Sequence, residues 1–487
     1  MSEPLRYNPA CGVPLADWLF ENGVEFPCGG AGTCGSCRVR IVEGGLPADV
    51  ETREILGAAA VDAGWRLACR CAASAPVTVE VAQWSVAVLS DERAVPFEPG
   101  AGFAAAVDLG TTTVVAQVMD RASGEVLGVR PALNAQARHG ADVMSRIQFE
   151  LRNPGELTAL VREQLGALVA EAAAGRPLGE VLISGNTVMH HLFCGLPVEP
   201  LASVPFRSPS LGARRFRAAE LGWTLAGDPA VEFLPCAGGF VGSDVVAGLL
   251  DAGFLDAQEP VALLDLGTNG EISVTDGRRV LAASTAAGPA FEAGRLRYGM
   301  RAGDGAIDRV EARDGTLIAH VLGGGVARGL CGSGLVDAVA AALDLRLLLP
   351  SGRLAGGRRE LPLAGAVSLT QADIRELQLA KGAVAAGLRI LSRLLGAAPE
   401  RILLAGAFGN YVRARSARRI GLLPPAAPEP EALGNTALRG TRRLALSPAH
   451  RAHALQTLLA RTQHVELASD PEFQDTYVEC MAFPEEW

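Results

Sequence analysis

The chain has no long uninterrupted hydrophobic run. Of its 487 residues 49% are hydrophobic, yet Asp244 breaks the apolar stretch 240–250, Asp337 breaks 335–343, and Arg389 and Arg393 break 383–395. None reaches the ~18–20 apolar residues that a spanning helix needs. The opening Met1-Ser-Glu-Pro-Leu-Arg6 has no basic segment followed by an apolar one, so no secretory leader is expected and a cytoplasmic location is. Also missing is any lysine- and arginine-rich cluster with interleaved aromatics. With a formal net charge of −9, that argues against nucleic acid as a main partner. Cysteine is sparse after residue 71: Cys11, Cys28, Cys34, Cys37, Cys69 and Cys71 crowd the start, and only Cys194, Cys236, Cys331 and Cys480 follow. In a cytosolic setting such crowding suggests metal rather than disulfides. The later cysteines read as lone buried residues.

A chain this long exceeds the ~250–300 residues at which single cores stop growing, so several domains are expected. Residues 1–85 hold the early cysteines, β-rich segments at 38–42 and 77–82, an apparent helix at 15–22 and a glycine-rich loop. Residues 90–102 are charged, carry two prolines and have no apolar period, as a linker does, and the linker is placed at 86–101. From residue 102 the pattern becomes buried strands, Gly/Thr turns and Ala/Leu-rich helices, with strands at 103–107, 181–183, 261–264 and 401–404. That alternation indicates an α/β architecture. Asp108-Leu-Gly-Thr-Thr-Thr113 and Asp265-Leu-Gly-Thr-Asn-Gly-Glu271 repeat one signature 157 positions apart. Two related lobes are therefore expected, at 102–257 and 258–487, the second including a C-terminal segment.

Cys28-Gly-Gly-Ala-Gly-Thr-Cys34-Gly-Ser-Cys37 is a C-x5-C-x2-C run, followed after 31 residues by Cys69. A [2Fe–2S] cluster needs four thiolates, and three from one loop with a fourth from a distant turn supply them. The intervening glycines let backbone N–H groups approach the sulfurs. The alternatives are core cysteines or a four-thiolate zinc site, which usually takes two short C-x2–4-C pairs. In the repeated signature, glycine admits a phosphate, threonines and backbone N–H groups donate to its oxygens, and the aspartate reaches Mg²⁺ or its waters. Leu403-Leu-Ala-Gly-Ala-Phe-Gly-Asn410 adds a third glycine turn after a strand.

Residues 24–80 resemble the β-grasp [2Fe–2S] ferredoxins, an α+β fold. Leu67-Ala-Cys-Arg70 looks like the Leu-Ala-Cys-Gln of that family, which favours Cys69 over Cys71 as fourth ligand and leaves Cys71 and Cys11 as bystanders. About a dozen residues precede the apparent helix, so the fold's opening hairpin is curtailed or begins upstream. The three glycine turns, in order, resemble the two phosphate loops and the adenosine loop of the acetate kinase, sugar kinase, Hsp70 and actin superfamily. Ile183-Ser-Gly-Asn-Thr-Val-Met-His-His-Leu-Phe193, Ala286-Ala-Gly-Pro-Ala-Phe-Glu292, Gly299-Met-Arg-Ala302 and Gly329-Leu-Cys-Gly-Ser-Gly-Leu-Val-Asp337 are similar to the reductive activators of corrinoid proteins. In that family a ferredoxin domain joins an ATPase domain of this superfamily. Longer members carry a further domain between the two, for which a connector of ~17 residues leaves no room on the 50–200-residue scale of domains.

The resemblance implies an ATP-dependent enzyme that returns an inactive Co(II) corrinoid protein or methyltransferase to Co(I), drawing on a low-potential electron donor. It implies cluster ligands Cys28, Cys34, Cys37 and Cys69. Asp108 and Asp265 would hold Mg²⁺ through water, and Glu271 would orient the attacking water. Gly110, Thr111, Thr112, Thr113, Gly267, Thr268, Asn269 and Gly270 would bind phosphates, and Gly406 and Gly409 would line the adenosine. It implies no nucleic-acid or membrane partner and leaves a homodimer open. His190 and His191 point in different directions on any regular element, so a loop or capping role is expected over metal ligation. Cys331, which is similar to the cluster cysteine of related dehydratase activators, has no second cysteine nearby and is expected to be a packing residue. The rival readings are a small-molecule kinase with an accessory cluster and an ATP-binding redox sensor or electron-transfer module.

Overall fold

A computed structural model describes residues 4–485 apart from 23, 25, 27–29, 31, 33–36, 82–92, 141, 268 and 410. The first unit is an antiparallel sheet of β1 (Leu5–Tyr7), β2 (Arg38–Glu43), β3 (Trp65–Leu67) and β4 (Val77–Val81), ordered β1-β4-β2-β3. In β4 the valines at 77, 79 and 81 are buried while Thr78 and Glu80 are half-exposed, the alternation of a sheet with one wet face. The buried face meets Leu15, Leu19 and Phe20 of the helix Leu15–Glu21, which recur at helical spacing. Among the described residues, one three-residue strand precedes that helix.

Two six-stranded sheets follow. The first contains β5 (Phe103–Leu109), β6 (Thr113–Asp120), β7 (Val126–Leu133), β8 (Leu178–Gly185), β9 (Arg214–Arg217) and β10 (Ala230–Phe233), in the order β7-β6-β5-β8-β10-β9. The second begins with β11 (Val261–Leu266), β12 (Gly270–Thr275) and β13 (Val280–Thr285). An excursion then holds a small sheet of β14 (Ala306–Arg313), β15 (Thr316–Val321) and β16 (Gly329–Leu330) and a hairpin of β17 (Glu360–Ala364) and β18 (Val367–Thr370). The chain re-enters with β19 (Arg401–Ala405), β20 (Glu431–Gly434) and β21 (Thr462–His464), giving the order β20-β19-β11-β12-β13-β21. In each lobe a three-stranded antiparallel meander is joined along its first strand by a later parallel strand, β8 beside β5 and β19 beside β11. The repeated signature marks this duplication.

The first strand of each meander is buried on both faces, which explains its continuous apolar run. In β5, Ala105, Val107 and Leu109 enter the core of the first lobe, whereas Ala104 and Ala106 enter a second core shared between the lobes. In β11, Ala262, Leu264 and Leu266 enter the core of the second lobe, and Val261 and Leu263 enter the shared core.

One late helix of the second lobe packs on the first lobe. Helix Thr436–Leu446 crosses helix Ser243–Asp251 of the first lobe almost backbone to backbone: a Cβ at Gly440 would stand 1.9 Å from Ala247 O. Residues 93–102 of the connector form no regular element but are held down. Glu98 N–H donates to Leu446 O (3.0 Å), Gly100 N–H donates to Arg121 O (2.8 Å), and Phe97 packs on the shared core.

Candidate nucleotide cleft and cysteine site

Strand alternation directs the two repeated aspartates. Asp108 has the parity of Ala104 and Ala106, and Asp265 that of Val261 and Leu263, so both leave their strand ends on the interlobe side. Glu271 stands directly across the ladder from Asp265. Asp244, in the first turn of helix Ser243–Asp251, adds a fourth carboxylate.

Their charges feel one another. Burial pushes Asp108 up to about 6, partly offset by the Asn435 amide. Burial, then the charge of Asp108, pushes Asp265 up to about 7. Burial takes Asp244 to about 7, with Asp108 and Asp265 adding repulsion. Glu271 is raised well above the usual range by burial, then by Asp244 and Asp265. All four retain some accessible surface, as groups at the bottom of a cleft do. Among the described residues none forms an ion pair with a basic side chain, and no set of three carboxylate, cysteine or histidine groups could ligate one ion directly. Uncompensated negative charge without a direct coordination shell suits a hydrated divalent cation carried by a phosphate.

The turns after the strands both close through the glycine N–H, on the third residue ahead in the first lobe and the second residue ahead in the second. Gly110 N–H donates to Thr113 O and Gly267 N–H donates to Asn269 O, both at 3.0 Å. A Cβ at Gly110 would meet Thr113 O at 2.6 Å, so the turn tolerates only glycine. Thr111 Oγ1 accepts from Asn186 Nδ2 (2.8 Å) and Thr111 O accepts from Arg146 Nη2. The Asn134 amide donates to Gly110 O (2.8 Å), and its backbone N–H donates to Thr112 O (2.9 Å). Gly406 has φ +81°, and a Cβ there would stand 2.7 Å from Asp265 Oδ1. The third turn thus lies against the second aspartate, with Gly409 packed on Leu404. Thr268 lies outside the described residues.

Gly270 has the parity of Leu266 rather than Asp265, and a Cβ there would collide with Val384 and Thr285. Its missing side chain allows close helix–sheet packing. Sequence reasoning missed Asp244, Asn435, Asn186 and Arg146. Asp244 carries a signal, a glycine-rich stretch ending in Gly-Ser-Asp at a helix start. Asn435, which caps helix Thr436–Leu446 through Leu438 N–H and donates to Asp108 Oδ2 (both 2.9 Å), carries none that reaches Asp108.

His190 and His191 also depart from the expected loop or capping role. Both are buried within helix Thr187–Cys194, His191 Nδ1 meeting Pro197 O at 2.7 Å and His190 packing edge-on to Phe233. Cys194, Cys236, Cys331 and Cys480 are buried, Cys331 Sγ meeting Ile307 O.

In the first unit the ladder pairs Arg38 with Leu67, and Ala68 N–H donates to Cys37 O (2.8 Å). This register carries Cys37 Sγ to 3.3 Å from Cys69 Sγ. The spacing exceeds the ~2.05 Å of a disulfide and approaches the ~3.8 Å between thiolates sharing one tetrahedral metal, so the pair fits a shared iron. Burial pushes the nearby Cys71 thiol up to about 12. Arg70 Nε donates to Asp49 Oδ2 (2.6 Å), and a Cβ at Gly32 would strike its side chain. Cys28 and Cys34 lie outside the described residues.

Three family descriptions match the chain: the 2Fe-2S iron-sulfur cluster binding domain over residues 5–74, the RACo middle region over 103–257, and the C-terminal domain of RACo, the ASKHA domain, over 259–487. The match described as a middle region spans the first lobe, and no family description covers residues 75–102 between it and the iron-sulfur match. The corrinoid activation enzyme RamQ of Eubacterium limosum is 32% identical over 434 residues, 80% of this chain and 73% of that protein. The [Co(II) methylated amine-specific corrinoid protein] reductase of Methanosarcina barkeri is 28% identical over 413 residues, 77% and 75%. A solved reductive activator for corrinoid, iron-sulfur protein superposes with a TM-score of 0.69 at 24% identity, covering 97% of this chain and 96% of that one.

Proposed function

This chain belongs to the family of reductive activators of corrinoid proteins, and we propose on that premise that it returns an inactive Co(II) corrinoid protein to Co(I) in an ATP-dependent one-electron step. The observation that carries the reading is one chain joining a paired-cysteine site to a cleft of uncompensated carboxylates. The cluster, of [2Fe–2S] type on Cys28, Cys34, Cys37 and Cys69, supplies a path for one electron at a time. Clusters of plant type lie near −400 mV, and each 59 mV of shortfall costs tenfold in a one-electron equilibrium. A donor of ordinary cytosolic potential is therefore too weak alone, and ATP supplies the difference through conformations that bind it unequally.

The chain's own residues divide this work. Gly110 and Gly267 allow the turns to close on phosphates. Thr111 and Thr112, with Thr268 and Asn269, donate to phosphate oxygens. Asp108, Asp244 and Asp265 receive the waters of Mg²⁺, and Asn435 holds Asp108 in place. Glu271, its proton affinity raised by burial and then by Asp244 and Asp265, orients the attacking water and accepts its proton. Residues 102–257 and 258–487 act as the two sides of one nucleotide site, joined to the iron–sulfur unit by residues 86–101. A cytoplasmic setting fits the redox chemistry, and no helix among the described residues is long and apolar enough to cross a membrane.

The test is anaerobic reduction of a Co(II) corrinoid protein, followed by the visible band of Co(I). Co(I) is expected only when reductant, intact cluster and ATP are present together. Equal yield without ATP from a donor near −400 mV would remove the reason for the fusion. Phosphorylation of a small molecule without Co(I) would favour a kinase.

A further inference from the structure

The iron–sulfur unit touches both lobes, and one contact ends four residues from a phosphate-loop anchor. Asp17, on the outer face of helix Leu15–Glu21, forms an ion pair with Arg138 of the first lobe. The Arg138 guanidinium also stands 5.7 Å from the ring centroid of Phe20, and Ala137 packs on the core of the iron–sulfur unit.

Arg138 closes the tight turn Ala135–Arg138, which is held by hydrogen bonds from its cap and its neighbours. Its cap, Asn134, accepts from Gln136 N–H (3.0 Å), and Gln164 holds Ala135 N–H (2.9 Å). The same Asn134 grips Gly110 O and Thr112 O. Arg146, fully buried, donates both to Thr111 O and to the Gln136 side chain. The docking turn and the first phosphate loop thus share two buried polar residues. On the other side Arg38, next to Cys37, donates Nη2 to Arg297 O (3.0 Å) of the second lobe. The unit bridges the lobes, and a change in their separation must disturb one contact or the other.

We propose that Arg138 is a positioning residue coupling the iron–sulfur unit to the nucleotide: docking of helix Leu15–Glu21 on the turn Ala135–Arg138 and binding at the Gly110–Thr112 loop strengthen each other. The proposal rests on the nucleotide reading of the cleft. Linkage makes the effect reciprocal, so whatever docking adds to nucleotide affinity the nucleotide adds to docking. A nucleotide-loaded chain holds the unit in place, and loss of nucleotide frees it to approach an electron acceptor.

The test uses the full chain with its cluster, titrated calorimetrically with a non-hydrolysable Mg·ATP analogue, and hydrogen exchange of the amides in helix Leu15–Glu21. Arg138→Glu and Asp17→Arg should each weaken binding about fivefold or more, and their combination should recover most of the loss. The analogue should slow exchange of the helix in the wild type and not in either single variant. Unchanged affinity in both single variants, or a double variant no better than the weaker single, would overturn the coupling alone. Absence of analogue binding by the wild type would instead overturn the nucleotide reading and the coupling with it.

Discussion

Asp108, Asp244 and Asp265 each keep a proton far above the ordinary aspartate value of 3.8, to about 6, 7 and 7. A carboxyl whose folded-state pKa is raised binds more protons folded than unfolded across the interval. Stability of the nucleotide-free chain therefore falls as pH rises from about 4 to about 7. Asp244→Asn should raise the melting midpoint of the nucleotide-free protein at pH 7.5, by roughly 2–4 °C if about 1 kcal/mol of charge burial and repulsion is relieved, while weakening Mg·ATP. Calorimetry on both forms checks this; a midpoint that drops would mean that the hydrogen bond Asp244 Oδ1 accepts from Val245 N–H outweighs the cost of the buried charge. The cysteines are tested by colour. Cys37→Ser and Cys69→Ser should lose the visible absorption of the iron–sulfur centre, and Cys71→Ser should retain it, because Cys69 is the thiol that stands beside Cys37 Sγ. Bleaching by Cys71→Ser with survival in Cys69→Ser would exchange their roles.

Among the elements, the crossing of helices Ser243–Asp251 and Thr436–Leu446 fixes the floor of the cleft, since it carries Asp244 on one side and the Asp108-binding Asn435 on the other. The obstacle to a side chain at Gly440 is the backbone of Ala247, which has no rotamer to yield. Gly440→Ala should cost about 2 kcal/mol or more in denaturant unfolding. The control is Gly212→Ala, where nothing lies within 4 Å of the added methyl and the change should stay within about 0.5 kcal/mol. Equal midpoints for the two variants would mean that the helices separate without loss, and the crossing would not set the geometry of the cleft.

For the whole molecule, the first unit has its own sheet and its own core around Val39, Leu67, Val77 and Val79, and its named polar links to the lobes are side-chain contacts at Arg138 and Arg38. Separate cores should fail separately. Asp108→Ala and Asp265→Ala are therefore expected to abolish ATP-dependent Co(I) formation while the visible spectrum stays intact. Loss of the spectrum in either variant would show the two parts to be one cooperative unit. ATP turnover and absorbance on the same preparation read both outcomes.

What could be read along the chain was whatever is encoded within a few residues. Apolar runs located the strands that begin at Phe103, Val261 and Arg401, because a strand buried on both faces must be apolar throughout. The glycine turns and the aspartates before them were legible for the same reason, as was the C-x5-C-x2-C spacing. That Gly270 packs closely under Val384 and Thr285 was not legible, because one step along a strand reverses its face and a motif match does not count parity. Tertiary structure alone decided which distant groups meet. Asn435 reaches Asp108 across 327 positions and Arg138 reaches Asp17 from another unit. Asp244 joins the carboxylates through the helix crossing. No local period or propensity records such meetings, since they arise only when two sheets pack their shared faces together and bring separate strand and helix ends to one cleft.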